Sequence, residues 1–401
     1  MTSTASHDTQ DVFRNISQHI DEQQEHFLAI AKQIWANPEL SFEEHQAAAA
    51  LCVPLEEAGF KLERGVSGLD TAFRATWQGA QAGPTIAILC EYDALRGLGH
   101  ACGHNLIGTG GMLAGWALRQ AWPDMPGTLQ VIGTPAEEGG GGKVIMVNDG
   151  VFADVDAAIM FHPSSGVSKA HRSGLAAQGI TLSFHGKPSH AAAAPWKGVN
   201  ALDAVVQFFV GIGLLRQQIE DGSRLHGIIS HGGDAANIIP EYCEARMIVR
   251  ADTMAYLETL KAKVFNVAQA AALATGCKLE VKEELPYANR VNNMVMARTF
   301  QKHLEALGDI VEEPSPNEGV GSSDIGNVSL VCPTIHPYVS ISQEPVSGHT
   351  EGFREASNSD YGYSQMLRAA KAMALTAAEL LADSSLLQRA KEEFQASSQT
   401  L

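Results

Sequence analysis

The stretch from Thr85 to Asn105 reads TIAILCEYDALRGLGHACGHN, and its two ends decide the fold. Its beginning, Thr85 to Cys90, is a continuous apolar run, which predicts a strand buried on both faces of a parallel sheet. Its end, Gly99 to Asn105, is a glycine-flanked turn that carries one cysteine and two histidines. Ligands of open α/β sheets bind outside the carboxyl ends of the strands, so this turn is a candidate site.

The same arrangement recurs twice downstream. Apolar runs at 128–133 and 157–161 predict two more strands, and Glu137-Glu138 and His162 follow them. Between the first two strands, the small and apolar segment 106–121 predicts a buried helix. This alternation of strands and helices predicts an α/β fold with a mostly parallel sheet.

The character of the chain changes near Ser173-Gly174. From about residue 178 to 285 the order is strand, helix, strand, strand, helix, strand, which is typical of a ferredoxin-like antiparallel sheet with two helices on one face. Helices predicted at 292–307 and 357–381 then return to the first unit. We therefore expect residues 1–176 and 286–401 to form one domain, and residues 177–285 to be inserted into it.

Composition and charge exclude several classes of partner. The net charge is −17, from 28 basic and 45 acidic residues, which argues against binding to nucleic acid or to an anionic membrane. The polar start, Met1 to Gln10, does not resemble a signal peptide, and no apolar run is long enough to span a bilayer. The six cysteines are scattered, which indicates reduced thiols in a cytoplasmic protein.

Six side chains, most of them after these strands, have the chemistry of a dinuclear metal centre. They supply a thiolate, three imidazoles and two carboxylates, enough to hold two transition-metal ions and leave one carboxylate as a general base. Taken singly, each has an ordinary explanation: a buried cysteine, a core or surface histidine, or a solvated acidic turn. The set is Cys102, His104, Glu137, Glu138, His162 and His349.

Two polar residues in the inserted unit are candidates for contact with substrate. His190, in Gly186-Lys187-Pro188-Ser189-His190-Ala191, is far in sequence from the metal set, which argues against a role as ligand. The more specific hypothesis is that it donates a hydrogen bond to an oxyanion. The alternative is a surface histidine in a turn. Asn237 is either a second substrate contact or part of an ordinary turn before Pro240.

Other readings of these residues remain open at this point. A cysteine hydrolase would use Cys102 as nucleophile with His104 or His162 as base, but it gives Glu138 and His349 no role. A catalytically inactive metal-binding protein on the same fold is a third possibility. The lack of a Gly-x-Ser-x-Gly elbow argues against a serine hydrolase.

In their order along the chain, these motifs resemble those of peptidase family M20, a family of metallopeptidases and amidohydrolases. The resemblance is strongest to its subfamily D of aminoacylase-like amidohydrolases, and within it to the beta-alanyl-lysine dipeptidase type. The matching motifs are EYDAL at 91–95, GHACGHN at 99–105, GTPAEE at 133–138, FHP at 161–163, GKPSHA at 186–191, NIIP at 237–240, SSD at 322–324 and GH at 348–349.

The resemblance implies a role for each residue at a matching position. Glu137 would be the general base, Asp93 would contact a ligand rather than the metal, and Asp324 would support the loop near His349. His190 would act in the active site of the partner subunit. Arg96 departs from the subfamily, which usually has proline there. The implied metal ligands are Cys102, His104, Glu138, His162 and His349.

The resemblance also implies cofactors, partners and a substrate class. Two divalent metal ions are expected, with zinc favoured by the Cys/His/carboxylate set and manganese, cobalt or nickel as alternatives. The inserted domain would be a lid that joins two chains in a homodimer. The substrate would be a small amide: an N-acyl amino acid, an amino-acid conjugate or a dipeptide. Its free carboxylate needs a partner, for which the candidates are Asn237, Arg246 and Arg290.

Overall fold

A computed structural model describes residues 9–315 and 321–398 of the chain. Its helices are α1 (Thr9–Ala36), α2 (His45–Glu57), α3 (His104–Ala121), α4 (Gly142–Asn148), α5 (Ala201–Leu215), α6 (Met254–Thr275), α7 (Met294–Ala306), α8 (Ile325–Ser329), α9 (Glu351–Ala356), α10 (Asp360–Ala382) and α11 (Ser384–Ser398). Its strands are β1 (Lys61–Arg64), β2 (Phe73–Gln78), β3 (Gln81–Cys90), β4 (Pro126–Gly133), β5 (Ala157–Ile159), β6 (His162–Ser164), β7 (Ala176–His185), β8 (Ser189–His190), β9 (Arg224–His231), β10 (Ile238–Ile239), β11 (Tyr242–Ala251), β12 (Lys278–Glu283), β13 (Thr334–Ile335) and β14 (Tyr338–Ser340).

The main sheet is mostly parallel, which confirms the predicted α/β class. Its strand order is β1-β2-β4-β3-β5-β13. The neighbours among β4, β3, β5 and β13 are parallel, whereas β1 and β2 add an antiparallel edge. This edge was not predicted, because β1 is polar and mostly exposed and therefore has the pattern of a loop.

Helix α3 lies against the centre of this sheet because small residues let it approach closely. A side chain on Gly111 would place its Cβ 2.6 Å from the carbonyl oxygen of Leu89, and one on Gly115 would place it 2.2 Å from Val131. The helix is also covered by α1 and α10, so almost all of it is buried. This close packing fixes the first residue of α3, His104, beside the carboxyl end of β3.

The contact pattern divides the chain into two compact units. One comprises the residues up to Ser173 and those from Arg290 onward, and the other runs from Gly174 to Asn289. The second unit has an antiparallel sheet of order β12-β7-β11-β9. Both α5 and α6 pack on β7 and β11, and these elements share one apolar core. The predicted order of its elements agrees with this arrangement.

Among the described residues, no helix combines the length and the apolar character that a membrane-spanning helix needs.

Candidate metal centre

The ends of neighbouring strands bring the predicted metal ligands together. Cys102 and His104 lie in the turn after β3, Glu138 follows β4, His162 follows β5, and His349 precedes α9. Their potential ligand atoms form two groups in which all atoms lie within 4.8 Å of one another. One group is Cys102, His104 and His162, and the other is Cys102, Glu138 and His349.

Individual distances in this cluster suit ligands of a shared cation. The Sγ atom of Cys102 lies 3.5 Å from Nε2 of His162, and Nε2 of His349 lies 3.3 Å from Oε1 of Glu138. Two ligand atoms at zinc-binding distance in a tetrahedral site are about 3.3–3.8 Å apart. Because Cys102 belongs to both groups, it has the position of a bridging ligand.

Buried atoms that lack partners show that the residues fit a metal ion. Among the described residues, Nε2 of His104 and Oε2 of Glu91 are buried and have no hydrogen-bond partner. Such atoms are costly unless a ligand satisfies them. The Nε2 atom of His104 lies 3.7–4.0 Å from oxygens of Glu91, Glu137 and Glu138. A cation bound among them would compensate both the carboxylates and the unpaired nitrogen.

The turn that carries Cys102 and His104 depends on glycine between them. Gly103 has φ of 81°, in the left-handed region. A Cβ at this position would also lie 2.8 Å from the ring of Pro163. Only glycine meets both constraints, so Gly103 lets the turn approach the segment that bears His162.

Two non-glycine residues beside the cluster have strained backbones. Ala136, directly before Glu137, has φ of 61°, and His349 has φ of 60°. The N–H of Ala136 donates to the buried carboxylate of Glu44 at 2.9 Å, and that of His349 donates to the carbonyl of Ala101 at 3.0 Å. Strain of this kind persists where the surroundings fix a functional side chain.

Asp93 contacts His104, one of the predicted ligands. Its Oδ1 atom lies 3.0 Å from Nδ1 of His104, and its Oδ2 atom accepts hydrogen bonds from the N–H of Glu138 and the hydroxyl of Ser41. Burial alone would raise its pKa, but the bond from His104 and the charge of that ring lower the pKa to about 2. Asp93 thus orients His104 with Nε2 toward the cluster.

Glu137 belongs to a further group of buried carboxylates. Its ligand oxygen lies within 4.8 Å of those of Glu91 and Asp324. Burial, followed by the negative charges of Glu91 and Glu138, raises the pKa of Glu137 well above its ordinary value. A carboxylate with this affinity for protons has the property required of a general base.

One lysine compensates this group, and neither it nor Glu91 was predicted. The Nζ atom of Lys143 donates to Glu91 at 2.5 Å and to Asp324 at 2.9 Å, and all three side chains are fully buried. The N–H of Lys143 also donates to Asp324 at 2.9 Å. Asp324 therefore contacts Lys143 here. Glu91 directly follows the buried strand β3, so the strand-end rule could have identified it.

His162 has the form that a metal ligand requires. Its Nδ1 atom lies 2.7 Å from the carbonyl oxygen of Pro163, which leaves Nε2 toward Cys102. Burial lowers the pKa of His162 to about 4, so the imidazole is neutral at pH 7. Burial also raises the pKa of the Cys102 thiol, and a bound metal ion would reverse that effect.

His190 and Asn237 lie side by side in the second unit. Their segments form the small ribbon β8–β10, and the N–H of Ala191 donates to the carbonyl of Asn237 at 3.0 Å. Nδ1 of His190 accepts the N–H groups of Ala192 and Ala193 at 3.2 and 3.1 Å. These bonds place the ring hydrogen on Nε2, and the side chain is exposed.

The two arginines predicted to bind a carboxylate make internal contacts. Arg246, on β11 of the second unit, pairs with Glu244 at 3.0 Å. Arg290 donates from Nη1 to the hydroxyl of Tyr338 at 2.9 Å and to the carbonyl of Arg172 at 3.4 Å. Neither lines the cavity beside the cluster, whereas Arg172 and Tyr338, which were not predicted, do so.

Comparisons with known proteins identify relatives over most of the chain. The model of the peptidase dimerisation domain of family M20 matches residues 172–275. Xaa-Arg dipeptidase of Mus musculus is 41% identical, over 95% of this chain and 91% of that protein. One of the subunits of p-aminobenzoyl-glutamate hydrolase from Escherichia coli is 30% identical, over 96% of this chain and 95% of that protein.

Solved structures share the fold at lower identity. An aminobenzoyl-glutamate utilization protein from Klebsiella pneumoniae has a TM-score of 0.74 at 18% identity, covering 91% of this chain and 98% of that one. A dinuclear metal-binding peptidase of family M20 from Bacillus subtilis has a TM-score of 0.66 at 19% identity, covering 90% of this chain and 99% of that one.

Proposed function

The chain belongs to peptidase family M20 of peptidases and amidohydrolases, and we propose that it is a dinuclear metal-dependent hydrolase of dipeptides. The observation that carries the proposal is the pair of ligand groups that share Cys102, with Glu137 beside them. The similarity to Xaa-Arg dipeptidase supports a dipeptide with a basic carboxyl-terminal residue. N-acyl amino acids and amino-acid conjugates are the wider substrate class.

Five residues would hold the metal ions in this proposal. Divalent ions bound there would lower the pKa of water and polarise the carbonyl of the scissile amide. Thiolate and imidazole ligands favour zinc, with manganese, cobalt or nickel as substitutes. Cys102 would bridge, and Asp93 would keep His104 in the correct tautomer. The other ligands would be His104, Glu138, His162 and His349.

Glu137 would move the proton during hydrolysis. Its raised pKa supports acceptance of a proton from the attacking water and delivery of that proton to the leaving amine. Lys143 neutralises part of the charge around it by pairing with Glu91 and Asp324. Without that pairing, the neighbouring buried carboxylates would repel one another.

His190 would stabilise the oxyanion from the partner subunit of a homodimer. The match to the peptidase dimerisation domain over residues 172–275 supports association through the second unit. The Nε2–H group of an exposed His190 is oriented by two backbone N–H groups and is available to donate to an oxyanion. Asn237, beside it in the β8–β10 ribbon, would add a polar contact to the substrate.

The cysteine hydrolase remains the second candidate because Cys102 Sγ lies 3.5 Å from His162 Nε2. Against it, burial raises the pKa of the thiol, which disfavours the reactive thiolate. The variant Cys102→Asp separates the two, since aspartate can bridge metal ions but cannot be a thiolate nucleophile.

The deciding experiment measures metal content and dipeptide hydrolysis together. Wild type should contain about two metal ions per chain, lose turnover to a chelator and regain it with zinc. Cys102→Asp should retain metal and part of the turnover, whereas Cys332→Ser, at a buried cysteine outside the cluster, should behave as wild type. Turnover that survives complete metal removal would refute the proposal, and loss of all turnover in a metal-loaded Cys102→Asp would favour the nucleophile.

A further inference from the structure

Two of the predicted metal ligands in the first unit are held in different ways. The Nδ1 atom of His104 lies 3.0 Å from a carboxylate oxygen of Asp93. The Nδ1 atom of His162 instead lies 2.7 Å from the carbonyl oxygen of the next residue, Pro163. No hydrogen bond or ion pair between His162 and a carboxylate is found among residues 9–315 and 321–398. The groups that pack against the ring of His162 therefore decide how it is oriented.

Two rings pack against His162. The centroids of the His162 and His336 rings are 5.3 Å apart, with an angle of 84° between the planes. Those of His162 and Tyr338 are also 5.3 Å apart, with an angle of 36°. His336 and Tyr338 contact each other at 5.2 Å. All three separations lie in the range of about 4.5–7 Å in which aromatic rings attract one another. We refer to these three residues as the ring cluster.

The backbone and the hydroxyl of Tyr338 fix its ring in place. In the parallel pair of β6 and β14, Tyr338 is opposite His162, whose N–H donates to the carbonyl of Pro337 at 2.8 Å. On the other side of β14, the N–H groups of Lys169 and Tyr338 donate to each other's carbonyls at 2.7 and 2.8 Å. The hydroxyl of Tyr338 accepts a hydrogen bond from Nη1 of Arg290 at 2.9 Å. Tyr338 is thus held at both ends of its side chain.

His336 reaches the cluster from the main sheet. It directly follows β13, which pairs in parallel with β5, and His162 follows β5. The side chain is completely buried, and neither ring nitrogen has a hydrogen-bond partner in the part of the chain that the structure describes. His336 therefore acts on the ring of His162 through direct contact.

A contact between rings suits this position because the centre is already rich in negative charge. The carboxylates of Glu91, Asp93 and Glu137 are buried, each with an oxygen 3.0–4.0 Å from a ring nitrogen of His104. A further carboxylate on His162 would add to the repulsion among them. Packed rings restrict the ligand without adding a negative charge.

We propose that His336 and Tyr338 are positioning residues for His162, and that their rings fix the plane in which it presents Nε2 to a metal ion. This inference rests on the proposed metal centre and adds two residues to it. His162 belongs to only one of the two ligand groups that share Cys102. One of the two ions should therefore depend on the ring cluster, and the other should not.

The experiment titrates the apoprotein with cobalt(II) in competition with a chelator. Wild type should bind two ions. His336→Leu and Tyr338→Leu, which remove a ring, should weaken the binding of one ion about tenfold and leave the other unchanged. The cobalt(II) absorption spectrum of the weakened site should change as well. His336→Met replaces the leucine variant if that variant does not fold.

Variants that keep a ring separate packing from other effects of the side chain. His336→Phe and Tyr338→Phe should bind both ions within about threefold of wild type. The positioning role would be overturned if the leucine variants bound both ions as wild type does. An equal loss in His336→Phe and His336→Leu would also overturn it, because contact between rings would then not be the cause.

The matched control removes a buried ring of the first unit outside the cluster. Phe60 packs against Trp77 with ring centroids 6.2 Å apart. Phe60→Leu should lower the melting temperature of the apoprotein and leave the affinity for both ions unchanged. If it weakens one ion as much as His336→Leu does, the loss follows from lower stability and the positioning role is wrong.

Metal binding is measured without substrate, which separates this inference from the proposed hydrolysis. If wild type binds two ions and the variants behave as expected but no amide is hydrolysed, the proposed function fails and the positioning role stands. If hydrolysis depends on metal but every variant binds both ions as wild type does, the positioning role fails alone.

Discussion

The strand ends of the first unit and the sheet of the second unit bury different kinds of residue. At the ends of β3 and β4, the charged side chains of Glu91, Asp93, Glu137 and Lys143 are buried together. Along β7 and β11, buried and more exposed positions largely alternate. Buried charge is costly unless it is paired or bound to a ligand, whereas an alternating strand stabilises the fold directly. We therefore expect the buried charges of the first region to lower the stability of the fold, which the alternating strands of the second region do not.

The largest effect should come from removing the proton carrier of the first region. Glu137→Gln should lower kcat by about 10²–10⁴-fold, because the amide cannot accept the proton of the attacking water. Metal content, measured by mass spectrometry, should stay at the wild-type value, since Glu137 is not needed as a ligand in either group that contains Cys102. Full activity in a metal-loaded Glu137→Gln would assign the base elsewhere.

The second unit should contribute to catalysis only through its partner. His190→Asn should lower kcat by about 10²–10³-fold, as expected for loss of an oxyanion donor. Mixing it with Glu137→Gln should restore about a quarter of wild-type activity, because a mixed dimer holds one intact pair of residues. A mixture with no activity above that of the separate variants would show that both residues act within one chain.

The difference in charge burial can be measured as stability. Lys143→Met leaves Glu91 and Asp324 buried without their cation, so the free energy of unfolding should fall by about 3–5 kcal/mol. The matched change in the second unit is Lys261→Met. Its charged partners, Glu258 and Glu283, are 59% and 41% exposed, and its Nζ also donates to the side-chain oxygen of Gln178 at 2.6 Å, so the loss should be about 1–2 kcal/mol.

Chemical denaturation of the two apoproteins measures both values. Equal losses would mean that the buried carboxylates of the first unit are protonated or solvated once Lys143 is gone. Buried charge would then not explain a difference in stability between the two regions.

Periodicity explains why much of the fold could be predicted. In the second unit, the predicted order of strand, helix, strand, strand, helix and strand corresponds to β7, α5, β9, β11, α6 and β12. The edge strand β1 could not be recognised, since its polar residues lie at an exposed edge. Local sequence carries no information on a strand whose position is set only by its neighbour.

Part of the candidate site was predictable because its residues follow strands. The strand-end rule identified the turn with Cys102 and His104, the Glu137-Glu138 pair and His162. It did not identify Lys143, whose partner Asp324 is 181 residues away and becomes a neighbour only in the folded chain. Arg172 was likewise not predicted, because only the folded chain places its guanidinium over the ring of Tyr338.

Glycine-to-alanine changes in helices of the two regions should have smaller effects on stability, and of opposite sign. Gly111→Ala places a Cβ against the backbone of β3 and should destabilise the protein by about 1–3 kcal/mol. Gly213→Ala on α5 meets no atom within 4 Å and should stabilise it by about 0.5–1 kcal/mol. Thermal unfolding of both variants checks the sign. A stabilising Gly111→Ala would show that α3 can move away from the sheet.

The smallest effects are expected from removal of a helix cap in each region. They test whether local stability and metal affinity are linked in the first region only. Thr350 caps α9 by accepting the N–H of Phe353, and Thr253 caps α6 by accepting that of Tyr256. Loss of the cap should cost about 1 kcal/mol in each threonine-to-alanine variant, and Thr350→Ala also removes the hydrogen bond that the Thr350 hydroxyl donates to the carbonyl of Ser347 at 2.7 Å. Only Thr350→Ala, however, changes a residue next to His349. The backbone of His349 has φ of 60° and needs support from its surroundings. We therefore expect a weaker metal affinity in competition with a chelator for Thr350→Ala and a wild-type affinity for Thr253→Ala. Equal affinities would mean that the hydrogen bond from His349 to Ala101 holds the strained ligand without help from the helix cap.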